Sequence, residues 1–375
     1  MSFSVGFVEE KSGECPMEPL LQFLLALALI IAAAKAAGYL STRLRQPAVL
    51  GELLVGLVLG PTVLNMTHWS IFTSHEGHLG EVIASIAALG VLFLMFMAGL
   101  EVDIQSMRTA GRPAALAGFL GVIVPIAMGA ATVIPFGFDL QQAFFMGLVL
   151  AATSVSISAQ TLMELGVLRT GVGIALLGGA VVDDVLVILL LSLFTALIGT
   201  GGGGFMTIFI VVSKMAIFLL VAIWFGVRLI PRLSYLVDRL PISEGLMALT
   251  VILTLLYAWS AEALGGMATI TGAFLVGLFF GRTSFRQHID GRMHTLAYAF
   301  LVPVFFVSIG LEADIKAVGI EGIPFAVLLI VVAMLSKIIG SGVGGLLGGF
   351  STKDALRLGV GMASRGEVGL IVAAV

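Results

Sequence analysis

The chain has 375 residues, of which 59% are hydrophobic and only 11% charged, where a soluble protein carries about a quarter charged residues. That balance excludes a soluble globular domain and reads as an all-α polytopic membrane protein. The net charge of −3 and the single cysteine, Cys15, give no footing for a nucleic-acid partner, an internal disulfide or a cysteine-based metal cluster.

Residues 1–19 form an acidic tail with Glu9, Glu10, Glu14 and Glu18, unlike the basic start of a signal peptide. The first apolar segment therefore reads as a retained helix. Apolar stretches near spanning length, about 20 residues, fall at 20–40, 48–65, 79–100, 112–135, 142–165 and 170–199. A second set falls at 205–231, 242–264, 267–282, 296–312, 322–349 and 354–375. This predicts about twelve spans with short connections, and neither a β-barrel nor a soluble domain. Basic residues gather in alternate loops, among them Arg43, Arg45, Arg108, Arg112, Arg169, Arg228, Arg232, Arg239, Arg282, Arg286, Arg292, Lys353 and Arg357. The opposite loops hold Lys11 and Lys316. Cytoplasmic loops are the basic ones, so the N-terminus is expected outside.

Two motifs recur in order. Gly51-Glu-Leu-Leu-Val-Gly-Leu-Val-Leu-Gly60 returns as Gly272-Ala-Phe-Leu-Val-Gly-Leu-Phe-Phe-Gly281, and Gly99-Leu-Glu-Val-Asp-Ile104 returns as Gly310-Leu-Glu-Ala-Asp-Ile315. The topology puts each copy on the opposite side from its partner. That predicts an inverted repeat, a mark of secondary transporters with a midplane site. The first repeat spans 20–199, with 112–199 as its transporting half. A linking helix follows at 205–231, and the second repeat runs over 242–375, with 322–375 as its transporting half. By this symmetry the aspartate helix described next has its counterpart beyond Val375, so a last core helix is expected to be missing.

Asp183 and Asp184 lie mid-segment in the apolar run Gly178–Leu190. A carboxylate at the centre of a bilayer helix costs about 2.5–3.5 kcal/mol, and ion or proton handling is the usual reason for keeping one. Lys337 lies at similar depth and would offset that cost by pairing with one of them. Thr153, Ser154 and Ser156 in one helix, and Ser364-Arg365-Gly366-Glu367 in another, occupy matching places in the two halves. They suggest two interrupted helices whose ends and free carbonyls face an ion, with Arg365 and Glu367 compensating the terminal dipoles. Hydroxyls in membrane helices also bond back to their own backbone, and Arg365 with Glu367 also fits a structural ion pair. Neighbouring helix positions point about 100° apart, so one aspartate can face water while the other faces a helix. A carboxylate that holds either a proton or a cation suffices for antiport. No enzyme activity, cofactor or resident metal is expected, only a transported alkali cation. An intramembrane aspartyl protease, which needs two facing carboxylates, and a cation channel are the remote alternatives.

The residues Gln46-Pro47-Ala48-Val49-Leu50-Gly51-Glu52, Gly99-Leu100-Glu101, the run from Ala152 to Leu162, Asp183-Asp184, Lys337 and Gly361–Leu370 together resemble the monovalent cation:proton antiporter-2 family. The likeness is to its bacterial NapA-type Na+/H+ branch, with Kef-type K+/H+ antiporters as relatives. The resemblance implies a homodimer in a bacterial or archaeal cytoplasmic membrane, two broken crossing helices, and a core that moves against a dimerisation domain. It implies that Asp184 is the main cation and proton carboxylate and that Asp183 pairs with Lys337. Thr153, Ser154 and Ser156 would lie at the first break, Arg365 and Glu367 near the second. Adjacent aspartates in this family go with electrogenic Na+/H+ exchange. K+/H+ exchange is the nearest alternative, and a nucleotide-binding domain after the last helix is common in the K+ branch.

Overall fold

A computed structural model describes residues 19–66, 69, 71–72, 79–101, 104–198, 204–314, 316 and 319–365. Among the described residues fourteen α-helices follow one another. They are α1 (Pro19–Arg43), α2 (Ala48–Leu59), α3 (Leu79–Glu101), α4 (Ile104–Val133), α5 (Leu140–Ala151), α6 (Val155–Glu164) and α7 (Gly171–Ile198). After these come α8 (Gly204–Asp238), α9 (Gly245–Ala263), α10 (Thr269–Phe280), α11 (Arg286–Leu296), α12 (Val302–Glu312), α13 (Gly319–Leu347) and α14 (Thr352–Gly361). No described residue lies in a strand, as expected where every backbone group must be satisfied within its own segment.

Nine helical segments among the described residues are long and apolar enough to cross a bilayer, against the twelve or so expected. The difference has a physical cause. Ala48–Leu59 and Thr269–Phe280 are only 12 residues each, too short to span about 30 Å at 1.5 Å per residue. The last expected span is described as helix only over Thr352–Gly361. The chain is nonetheless a multi-pass membrane protein. Leu220, Trp224, Trp259 and Ile330 are exposed on its long helices, an arrangement that suits lipid rather than water.

The two short helices are packed closely by their glycines. A Cβ on Gly56 of α2 would run into the Val307 carbonyl of α12, and one on Gly277 of α10 into the Phe96 carbonyl of α3. Gly310 of α12 abuts the Leu57 amide, and Gly99 of α3 the Leu278 amide. Gly51 meets Ala37 of α1, and Gly272 meets Tyr257 and Ala258 of α9. The repeated motifs thus make matched contacts, each copy of the first packing on the other half's copy of the second.

α4 and α13 pack just as closely. Gly340 and Gly344 of α13, and Gly348 just after it, lie against Leu120, Leu116 and Pro113 of α4. This pair, with α7 against α4 and α5 alongside, forms the bundle that holds the aspartates. Prolines lie inside α4, α8 and α13, as membrane-spanning helices tolerate.

Candidate ion-binding site

The site starts at a helix that stops too early. α5 opens with a capping box in which Asp139 accepts from the Gln142 amide and Gln142 returns to the Asp139 amide. It closes at Ala151, Ala152 turns extended, and α6 restarts at Val155 with Ser154 as its N-cap, accepting from the Ile157 amide at 3.3 Å. Neither glycine nor proline lies at this break. Thr153 and Ser154 offer the backbone alternative hydrogen bonds that helix interiors disfavour.

The end of α14 lies against it. α14, capped by Ser351, stops at Gly361. The Ser154 amide donates to Ser364 O at 3.1 Å, and Ser364 Oγ donates to Ser154 O at 2.8 Å. Ser158 Oγ reaches Gly361 O at 2.8 Å and Ser364 Oγ at 2.7 Å. Ser154 and Ser156 share a hydroxyl contact of 3.1 Å. The break between α5 and α6 is therefore sewn to the residues that follow α14. Arg365 donates to Ala333 O of α13 at 2.8 Å and to Ser364 O at 3.2 Å, tying the end of the α14 segment to α13. Glu367, expected to compensate charge there, lies outside the described residues.

α7 passes beside this crossing and carries both aspartates in its middle turns. Asp183 and Lys337 are fully buried, and Lys337 Nζ donates to Asp183 Oδ1 at 2.7 Å. The same ammonium donates to Ala151 O at 2.8 Å, a carbonyl that the end of α5 leaves without an intrahelical partner. Thr153 and Arg365 are the other polar neighbours of Asp183. Its second oxygen, Oδ2, accepts no hydrogen bond among the described residues.

Asp184 turns the other way. It lines a cavity of about 490 Å³ between α3, α7, the α9–α10 connection and α12, together with Val91, Thr269, Ser308, Glu262 and Glu312. Glu262 and Glu312 are exposed at its rim, while Asp184 is 4% exposed. The rim lies where α9 and α12 end, away from Arg239 and Arg286, which stand before α9 and at the start of α11. A second pocket of about 490 Å³ lies at the arginine-bearing end and includes neither aspartate. Lys35, Arg45, Glu52, Glu101, Glu164 and Tyr298 are among its lining.

The residues singled out from the sequence divide accordingly. Asp183, Lys337 and Thr153 come together, Ser154 caps the restart of the broken helix with Ser156 against its hydroxyl, Arg365 braces the residues after α14, and Asp184 faces the cavity. The Ala151 carbonyl carries no side-chain signal and could not have been read from the sequence. Ser158 lay inside the hydroxyl run but was not singled out. Glu164, whose carboxylate accepts from the Ala48 and Val49 amides at 2.6 and 3.3 Å, also went unnoticed, because it caps a helix that is distant in sequence. Two aspartates aimed at different surroundings do not form the facing pair that aspartyl proteolysis requires.

Comparison with known proteins agrees with this geometry. The family described as sodium/hydrogen exchanger, transmembrane, matches residues 25–375. The chain is 36% identical over 352 residues to the probable Na(+)/H(+) antiporter GerT of Bacillus cereus, covering 94% of this chain and 90% of that one. It is 38% identical over 353 residues to the Na(+)/H(+)-K(+) antiporter GerN of Bacillus cereus, covering 94% and 87%. In fold it is similar to the sodium proton antiporter MjNhaP1 from Methanocaldococcus jannaschii at pH 8, with a TM-score of 0.67 at 17% identity over 95% of this chain and 86% of that one. The chain belongs to the sodium/hydrogen exchanger family and is a membrane transporter, not an enzyme.

Proposed function

We propose that this chain exchanges Na+, and Li+ as a second substrate, for protons across the cytoplasmic membrane of a bacterium or archaeon. The observation that carries the reading is the division of labour between adjacent carboxylates. Asp184 reaches a cavity with an exposed rim, while Asp183 is sealed against Lys337. Asp184 holds either the cation or a proton, and competition for that one group couples the two fluxes. Asp183 gives up Lys337 when the cation binds, and its buried Oδ2, which accepts no hydrogen bond among the described residues, supports this. Thr153, Ser154 and Ser156 stand near the first break as oxygen donors, and Arg365 and Glu367 balance the dipoles of the interrupted helices. Two carboxylates against one lysine suit an electrogenic cycle in which Asp183 as well as Asp184 takes up a proton when the cation leaves, so that two protons move against one cation and 100 mV supplies about 2.3 kcal/mol for the net charge moved.

The proposal extends to architecture. Residues 20–199 and 242–375 are inverted repeats joined by 205–231, with 112–199 and 322–375 as the transporting halves. The matched glycine contacts of α2 with α12 and α10 with α3, and the reciprocal Ser154–Ser364 bonds, support this. The protein works as a homodimer with its N-terminus outside, and the arginines gathered at one end support that orientation.

Exchange of K+ is the second reading, favoured by the likeness to a protein whose name includes K(+). Proteoliposomes holding a pH gradient separate the two. Na+ and Li+ are expected to dissipate the gradient, and faster when a potential is imposed. Dissipation by K+ alone establishes the second reading, and no response to any of the three overturns both. Asp183→Asn is expected to abolish the voltage dependence.

A further inference from the structure

Lys337 Nζ has three protons to donate. Two go to Asp183 Oδ1 and Ala151 O. One turn further along α13, Ser341 Oγ is fully buried and has no hydrogen-bond partner among the described residues. Hydroxyls elsewhere in the chain behave differently. Thr132, Ser234, Thr250 and Thr254 each bond back to the carbonyl four residues earlier at 2.8 Å, the usual resting place for a hydroxyl in an apolar helix. Ser341 could do the same with the carbonyl of Lys337 and does not.

Its location explains the exception. A Cβ on Gly121 of α4 would stand 2.5 Å from Ser341 Oγ and 3.5 Å from Lys337 Nζ. The hydroxyl and the ammonium therefore border one small space, and the missing side chain of Gly121 keeps it open. No hydrogen bond joins them in this state.

We infer that Ser341 Oγ is a positioning residue that accepts the Lys337 ammonium when Asp183 turns to a bound cation. This rests on the exchange reading above. In that state the ammonium keeps two partners, Ala151 O and Ser341 Oγ, and the lysine stays charged while its aspartate is engaged elsewhere. No bond is made or broken apart from this exchange of hydrogen-bond acceptors. Gly121 is the complement: any larger residue there would push the hydroxyl out of the lysine's reach.

The test uses the full chain, purified in detergent with choline as the neutral salt, and Ser341→Ala. Without Na+, the variant is expected to melt no lower than the wild type, since no existing bond is lost. The Na+ concentration giving half-maximal thermal stabilisation, and the half-saturation of exchange in proteoliposomes, are expected to rise about tenfold, the effect of losing one hydrogen bond to a charged group. In a Lys337→Gln background, adding Ser341→Ala should leave the Na+ stabilisation curve where it was. Equal Na+ dependence of wild type and Ser341→Ala overturns the inference. So does a shift that persists undiminished without the lysine, or a lowered melting temperature without Na+, since either marks a structural bond instead. Wild-type protein that exchanges no alkali cation refutes the exchange reading itself, an outcome distinct from a wild type that exchanges while Ser341→Ala matches it.

Discussion

The cavity beside Asp184 and the pocket at the arginine-bearing end are of equal volume, and they differ in what they reach. The first descends from Glu262 and Glu312 along apolar walls to a carboxylate. The second is lined by opposed charges, with Lys35 3.9 Å from Glu52 and donating to Tyr298 O at 2.8 Å. It ends at the tip of α6. There Glu164 accepts from the first amides of α2 and from Gln160 Nε2 at 2.7 Å, a negative charge on a helix N-terminus where it is most stabilising. Volume alone therefore does not mark the transport route. One opening leads to the Asp184 carboxylate, and the other to the joint between α2 and α6.

The largest expected effect separates the two directly. Asp184→Asn should abolish exchange, a loss of at least about 100-fold, whereas Glu52→Gln in the other pocket should keep it within about threefold. Equal losses would mean that the two openings do not differ in role. Next is Lys337→Ala, which leaves Asp183 buried without its ion pair and should cost about 3–5 kcal/mol of stability, read as a fall in melting temperature. An unchanged melting temperature would mean that the pair is not the keystone of the bundle. Smallest is Glu164→Ala, the loss of a helix cap worth about 1 kcal/mol. Backbone hydrogen exchange at Ala48 and Val49 should accelerate about fivefold, and no acceleration would remove the joint from the account.

Much of this was legible in the sequence because the bilayer restricts the options. An apolar stretch must be a helix, a carboxylate in its middle must have a use, and clustered hydroxyls invite a break, which α5 and α6 show between Ala151 and Val155. Depth alone paired Lys337 with one of the two aspartates, and the family resemblance pointed to Asp183. Span count was less legible, because α2 and α10 are apolar enough to read as full spans while their flanking prolines and glycines shorten them. The lysine's second acceptor is a backbone oxygen, so residue type could not announce it. Glu164 and Ser341 matter only through partners that tertiary packing brings near, α2 for one and Gly121 for the other. Which aspartate faces water was equally beyond the sequence. An angle of about 100° between neighbours says that they diverge, and only the placement of α3 and α12 decides which one meets the cavity.

The account turns on Asp184 being the carboxylate that meets protons and cations, with Asp183 sealed beside it. A hydrophobic carbodiimide, which reacts with protonated carboxyl groups in apolar surroundings, tests this when the modified peptides are mapped by mass spectrometry with and without Na+. Modification at Asp184, slowed by Na+ and absent from Asp183, is the predicted result. Modification of Asp183 at an equal rate, or labelling of Asp184 that Na+ leaves unchanged, would contradict it.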